Sequence, residues 1–278
     1  MTLRIWQVDA FTNRPLAGNP AAVVPLDTWL PDALMQAIAL ENNLSETAFL
    51  VHEPEGWRIR WFTPAMEVNL CGHATLASAH VYFTHLEPQT TSVTFASRSG
   101  PLVVTRDGAR FALDFPAYDS HRVETTAAVV DALGVTPLET WLGVKLMALL
   151  PDEAAVRAVR PDFGRIAALE AFGVIVTAPG ETSDIASRYF VPQAGGNEDP
   201  VTGAAHCQLV PWWARRRGRA AIFARQVSAR GGELWCEERG ERVTLAGEAV
   251  EYLSGTIRVR ASGTQRIAAA GTLRRPRG

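Results

Sequence analysis

The chain has 278 residues, long enough for one large domain or for two of about 140 each. Its 47% hydrophobic and 20% charged residues belong to an ordinary folded protein and exclude a largely disordered one. A net charge of −2 excludes a global field for phosphates or acidic lipid, so neither a nucleic acid nor a membrane surface is an expected partner.

MTLRIWQVDAFT lacks the basic region, apolar stretch and cleavage site of a leader, and no apolar run approaches the ~18 residues of a membrane span. LRIWQVDAF alternates as a strand, TNRPLAGNP supplies a turn, and AAVVPL reads as a second strand pairing with the first. Pro31 opens a helix whose Leu34, Ala37 and Ile38 share a face and whose end is marked by Asn42 and Asn43. ETAFLVHE and WRIRWFT follow as strands. NLCGHATLASAHVYF, from Asn69 to Phe83, places Gly72 directly ahead of a helix; its Leu76, Ala77, Ala79, His80 and Phe83 leave little polar face, as expected of a helix enclosed by strands. SVTFAS, LVVTR and RFALDF are three more strands.

FPAYDS, residues 115–120, interrupts the pattern and reads as a linker. The second half repeats the recipe: a helix in VETTAAVVDALG, strands WLGVKLMALL, AFGVIVTAP and ASRYFVP, then GGNEDPVTGAAHCQLVPWW, where Gly203 again precedes an apolar helix. AAIFARQVS, GELWCEE and RVTLAG complete the strands. Gly72 and Gly203 lie about half the chain apart, so the sequence divides into related domains at 1–118 and 119–263, with a solvated tail at 264–278. Many strands and few helices predict an α+β fold and not a doubly wound parallel sheet.

A glycine opening a helix exposes unpaired N–H groups, and two such ends meeting in a cleft could grip a small carboxylate from both sides. Glu46, between a helix and an apolar strand, is either a partly desolvated acid/base or a solvent-facing glutamate on an edge strand; pattern alone favours the second. His73 either polarises a substrate or fills a polar gap, and His206, one turn into its helix, reads as structural. Glu198 and Asp199 can orient a histidine, hold a substrate amine, or simply initiate a turn; Asp199 is the stronger candidate. The three cysteines, Cys71, Cys207 and Cys236, are too few to staple the chain and point to a reducing, cytoplasmic setting. A two-thiol racemase is disfavoured because no cysteine precedes the second helix, which leaves Cys71 as a packed thiol.

Neither CxxC nor HExxH is present, so no metal is expected from Cys71, His73, His206 and Cys207. No cofactor is expected either: the GxGxxG and GK[ST] fingerprints are missing, and pyridoxal phosphate would depend on Lys145, the one lysine of the chain. The basic run Arg215–Arg219 contains Gly218 and reads as a helix C-terminus.

VDAFTNRPLAGNPAAVV, NLSETAFL, WFTPAMEVNLCGHATLASA, SRYFVPQAGGNEDPVTGAAH and VTLAGEAV together resemble, in order from Val8 to Val250, the phenazine-biosynthesis PhzF family, relatives of diaminopimelate epimerase. The resemblance implies two pseudo-symmetric domains, each a curved, mostly antiparallel sheet or barrel around a central helix, with the active site between them and a homodimeric assembly. It implies Glu46 as the acid/base, with His73 and Asp199 beside it in catalytic positions. Ser45, Gly72, Ala74, Thr202, Gly203 and Ala204 are then the substrate-binding positions. Family members commonly read DPVTGSAH; Ala204 here deletes a hydroxyl and a hydrogen bond worth roughly 1 kcal/mol, so substrate identity does not transfer.

The expected function is a cofactor-independent isomerase that moves a proton between carbons of a small carboxylate-bearing substrate. An epimerase or racemase of a small amino or hydroxy acid is the alternative enzyme, and a non-catalytic small-molecule binder on the same scaffold is the third reading.

Overall fold

The computed structural model describes residues 1–194 and 196–259; the expected tail at 264–278 lies outside the described residues. The first half runs β1 (Thr2–Ala10), β2 (Asn19–Leu26), α1 (Asp32–Asn42), β3 (Glu46–Glu53), β4 (Gly56–Phe62), β5 (Glu67–Val68), α2 (Gly72–Val81), β6 (Ser92–Ser97), β7 (Gly100–Asp107) and β8 (Arg110–Pro116). The second continues with β9 (His121–Val123), α3 (Ala127–Leu133), β10 (Glu139–Leu142), β11 (Leu146–Leu149), α4 (Glu153–Ala158), α5 (Phe163–Ala167), β12 (Val174–Pro179), β13 (Ile185–Phe190), β14 (Glu198–Asp199), α6 (Gly203–Arg217), β15 (Ala221–Gln226), β16 (Gly232–Arg239) and β17 (Arg242–Arg258). Among the described residues no helix is long and apolar enough to cross a membrane.

The fold is α+β. β1 pairs antiparallel with β2, as the alternating LRIWQVDAF and AAVVPL require, and the pairing continues through β3, β4, β6, β7, β8 and β17 back to β1, closing an eight-stranded barrel. α2 fills it. Ala74, Leu76, Ala77, Ala79 and Val81 are all fully buried, which a helix without a polar face can satisfy only inside a ring of strands. In the second half β9 to β13, then β15, β16 and β17, curve around α6. There Met147, Leu149, Ile175 and Tyr189 face inward with Leu209 and Val210, while Leu146, Ala148, Val174 and Val176 face outward under α3, α4 and α5. This alternation is the period of two in a sheet covered on both sides.

Several elements differ from the expected ones. WLGVKLMALL is two strands, β10 and β11, turned at residues 143–145, where the Gln208 amide accepts from the Lys145 N–H at 3.0 Å and donates to its carbonyl at 2.9 Å. α4 and α5 are short helices that the sequence reading did not contain; each is set by a side-chain cap, Asp152 on Ala155 N–H and Asp162 on Arg165 N–H, and not by long periodicity. β17 runs well beyond RVTLAG to Arg258. Its first part pairs with β16 and β8 and its last part with β1. Pro211 sits inside α6 and has no N–H to give Cys207, whose carbonyl instead accepts from Tyr118 N–H at 2.9 Å and so ties the linker to the helix.

Candidate active site

The two central helices begin face to face. A Cβ added to Gly72 would lie 3.7 Å from the Gly203 Cα, an ordinary contact, so bare backbone meets bare backbone at the seam between the halves. Cys71 and Thr202 precede the helices in extended conformation, and no side chain caps either one. Both sets of first-turn N–H groups, Gly72 to Ala74 and Gly203 to Ala205, are thereby left toward the same seam, where dipole and donors favour an anion. Ala204 is exposed at this point.

Glu46 is the first residue of β3, which lies between β2 and β4 and is not an edge strand. Its carboxylate is largely enclosed, and Oε2 stands 2.9 Å from Nε2 of buried His73, off the line of a hydrogen bond; neither atom has another partner. The other ring nitrogen, Nδ1, faces Asn19 Nδ2 at 3.2 Å and Cys71 Sγ at 3.5 Å. Burial pushes the Cys71 thiol up to about 11, so it keeps its proton at neutral pH and its sulfur can accept from Nδ1–H. Protonated His73 carries a proton on each ring nitrogen, the one on Nε2 facing Glu46. Burial opposes charge on the ring, but its contacts with Cys71 and with the Glu46 carboxylate override it and hold His73 well above 6.5.

Asn19 links the halves. It is fully buried at the start of β2 and donates to Asp199 Oδ1 at 2.7 Å and to the Val201 carbonyl at 2.9 Å. Ser45 donates to Asn19 Oδ1 at 3.0 Å and so supports Asn19 in this structure. Thr202 turns its hydroxyl onto Asp199 Oδ2 at 2.6 Å in place of capping α6, and Gln226 accepts from Thr202 N–H while donating to the Asp199 carbonyl. Burial raises Asp199 to about 6, with the His73 charge and the Thr202 and Asn19 hydrogen bonds pulling the other way. Glu46, His73, Asp199, Ser45 and Thr202 are thus brought into one network, with the backbone of Gly72, Ala74, Gly203 and Ala204 beside it.

Glu198 is not part of the network; it is bound by both arms of Arg188 at 2.8 Å. His206 bonds the Thr202 carbonyl through Nδ1 at 2.7 Å, and burial lowers it to about 4, which leaves a neutral structural ring. Three participants were missed from sequence. Asn19 read as turn chemistry in AGNP, Gln226 closes a strand with no pattern around it, and Cys71 read as packing. The only signal for Cys71 was its place two residues before His73.

Ligand atoms of Glu46, Cys71 and His73 gather within 4.8 Å of one another. The ring turns Nε2 to Glu46 and Nδ1 to Cys71, so one ion could use all three only if the imidazole rotated and the thiol lost its proton. The arrangement suits proton transfer better than ligation. Two open surface clefts of about 390 Å³ lie elsewhere, beside β1, and contain none of these groups.

The family profile described as phenazine biosynthesis-like protein matches residues 8–255. An uncharacterized isomerase of Pseudomonas aeruginosa is 55% identical over 93% of this chain and 100% of its own. The crystal structure of a PhzF-family phenazine biosynthesis protein from Enterococcus faecalis superposes with a TM-score of 0.91 at 45% identity, covering 93% of this chain and all of that one. A hydroxyproline epimerase from Agrobacterium vitis shares the fold, with a TM-score of 0.61 at 11% identity over 92% of each chain. With the two-helix seam and its acid network at the centre of the matched region, the chain belongs to the phenazine biosynthesis-like PhzF family and is an isomerase.

Proposed function

We propose that Glu46 moves a proton between two carbons of a small carboxylate-bearing substrate lodged at the seam, without a cofactor. One observation carries this: Glu46 Oε2 and His73 Nε2 are buried, 2.9 Å apart and otherwise unpaired, next to two uncapped helix ends. The carboxylate takes a proton from an activated carbon, and the negative charge that develops on the substrate is stabilised by backbone N–H groups already oriented toward it. Once protonated, Glu46 no longer holds up the proton affinity of His73, so the His73 proton becomes available to a substrate oxygen as that oxygen becomes basic. Glu46 then returns its proton to a second carbon on the same face, which shifts a double bond. Asp199, once ionised, holds an amino or hydroxyl group of the substrate.

The test is proton NMR in D₂O with a panel of cyclic and acyclic amino and hydroxy acids, dihydro-hydroxyanthranilate among them. Deuterium uptake by wild type and a loss of roughly 10²- to 10⁴-fold in Glu46→Gln, with unchanged circular dichroism, is the expected result. Exchange that survives in Glu46→Gln would sink the assignment. The Cys71 thiol, 3.5 Å from His73, gives a specific ground for the epimerase alternative, because it is a second proton carrier. Inversion at one centre that depends on Cys71 would decide for the epimerase, and a displaced double bond for the isomerisation. The reading includes a cytoplasmic homodimer, which light scattering would test for assembly.

A further inference from the structure

Lys145 is the one lysine in the sequence, and it is 7% exposed. It stands in the turn before β11, and its side chain follows the inward face of Met147 and Leu149, with Nζ 5.6 Å from the centre of the Tyr189 ring. Tyr189 is paired across β13 and β14 with Asp199, three residues ahead of the Thr202 that begins α6. The ammonium therefore lies on the Asp199 side of the second half, toward the uncapped end of α6; burial lowers its proton affinity and the Asp199 charge raises it. Among the described residues its ammonium pairs with no carboxylate and makes no hydrogen bond, yet the nitrogen is not sealed from solvent. An enclosed ammonium without a partner is costly unless something supplies the counter-charge. Cys207 nearby cannot, because burial pushes its thiol up to about 12 and keeps it neutral, and Asp199 acts only from a distance, its two oxygens being taken by Asn19 and Thr202.

We infer that Lys145 and the α6 N-terminus together form the subsite for the substrate's carboxylate, which orients the substrate with its acid group toward the second half and its reacting carbons toward Glu46. This deepens the proposed function and rests on it for the position of the reacting carbons. The substrate class is a small organic acid whose labile carbon lies beyond the carboxylate. His73 is the other cation near the seam, and it is engaged by Glu46. Lys145 is thus the cation left free for an incoming anion.

Because there is a single lysine, protein labelled with ¹³C at lysine Cε gives one lysine Cε resonance. Titrating this protein at neutral pH with acetate, the smallest carboxylate probe, is expected to shift that resonance with saturation in the millimolar range. Acetamide, and sodium chloride at equal ionic strength, are expected to leave it in place. Glu46→Gln is expected to respond to acetate as wild type does. No saturable shift with acetate, or an equal shift with acetamide, would overturn the subsite. If acetate saturates the signal while deuterium exchange persists in Glu46→Gln, the subsite stands and the catalytic role of Glu46 falls. With a turned-over substrate, Lys145→Met is expected to raise KM about 10- to 100-fold with a smaller change in kcat, and Lys145→Arg to recover part of the loss. A folded Lys145→Met with wild-type KM would also overturn it.

Discussion

Asn19 has two N–H groups and three neighbours to receive them: Asp199 Oδ1 at 2.7 Å, the Val201 carbonyl at 2.9 Å and His73 Nδ1 at 3.2 Å. The two short contacts take the amide protons, so His73 Nδ1 is left to the Cys71 sulfur, and one amide positions both the histidine and the aspartate. Asp199 also gives the site a pH signature. Burial raises its folded-state pKa from 3.8 to about 6, so the folded chain binds the proton more tightly than the unfolded chain. That contribution to stability is fully present below pH ~4 and is lost as pH rises through ~6, by about 3 kcal/mol at most. Urea midpoints of wild type and Asp199→Asn across this range are expected to diverge between pH ~4 and ~6 and to run parallel above. Parallel curves throughout would show that Asp199 titrates normally. At this scale the sequence displays the residue types but not their partners. Glu46, His73 and Asp199 stand in short quotable motifs, whereas the value of Asn19 lies in contacts more than fifty residues away along the chain.

The loop between β1 and β2 decides where Asn19 begins. Phe11 and Leu16 adopt positive φ of 62° and 68°, uncommon and costly for bulky residues, and Gly18 at 62° could not carry a Cβ without striking the Ala10 carbonyl. The second half holds this loop in place. Arg230 donates to the carbonyls of Gly18 and Ala17 and to Asp9 Oδ1, all at 2.8 Å, while Glu233 N–H donates to the Phe11 carbonyl at 2.9 Å. Asp9 is 1% exposed and, among the described residues, otherwise receives only Leu16 N–H. Removing its cation strands a buried acid, so Arg230→Met is expected to cost about 2–3 kcal/mol, below the usual range for a buried pair because the guanidinium is partly exposed. A urea midpoint unchanged from wild type would contradict this. The elements themselves were largely readable: hairpin, helix starts and linker follow from alternation, Gly72, Gly203 and FPAYDS. α4 and α5 were not, because two turns or fewer give no periodicity to read.

At the scale of the molecule the two halves were visible as a repeated recipe, but their joining was not. β17 gives its first residues to β16 and β8 and residues 249–258 to β1, and that second stretch is mostly exposed, so GEAVEYLSGTIR carries no alternation by which to recognise a strand. We propose that the halves divide as 1–118 and 119–263, with the end of β17 serving the first. A chain ending at residue 248 removes one stave of the closed barrel. It is expected to lose hydrogen-exchange protection in β1 first while β8, whose partner residues 242–248 remain, and α6 with its surroundings stay protected. Uniform protection in the shortened chain would show that the barrel does not depend on that stretch.

The same strand imposes an order on biosynthesis. β1 leaves the ribosome long before its partner, residues 249–258, which lies far downstream in the chain. Until that partner emerges the first barrel stands open along one edge, with α2 inside it exposed on that side and β1 presenting unpaired backbone. Second-half strands can pair among themselves as they emerge, but the seam that carries Glu46 and His73 also needs Asp199 and the start of α6, so in the nascent chain the active site is assembled only after these have emerged.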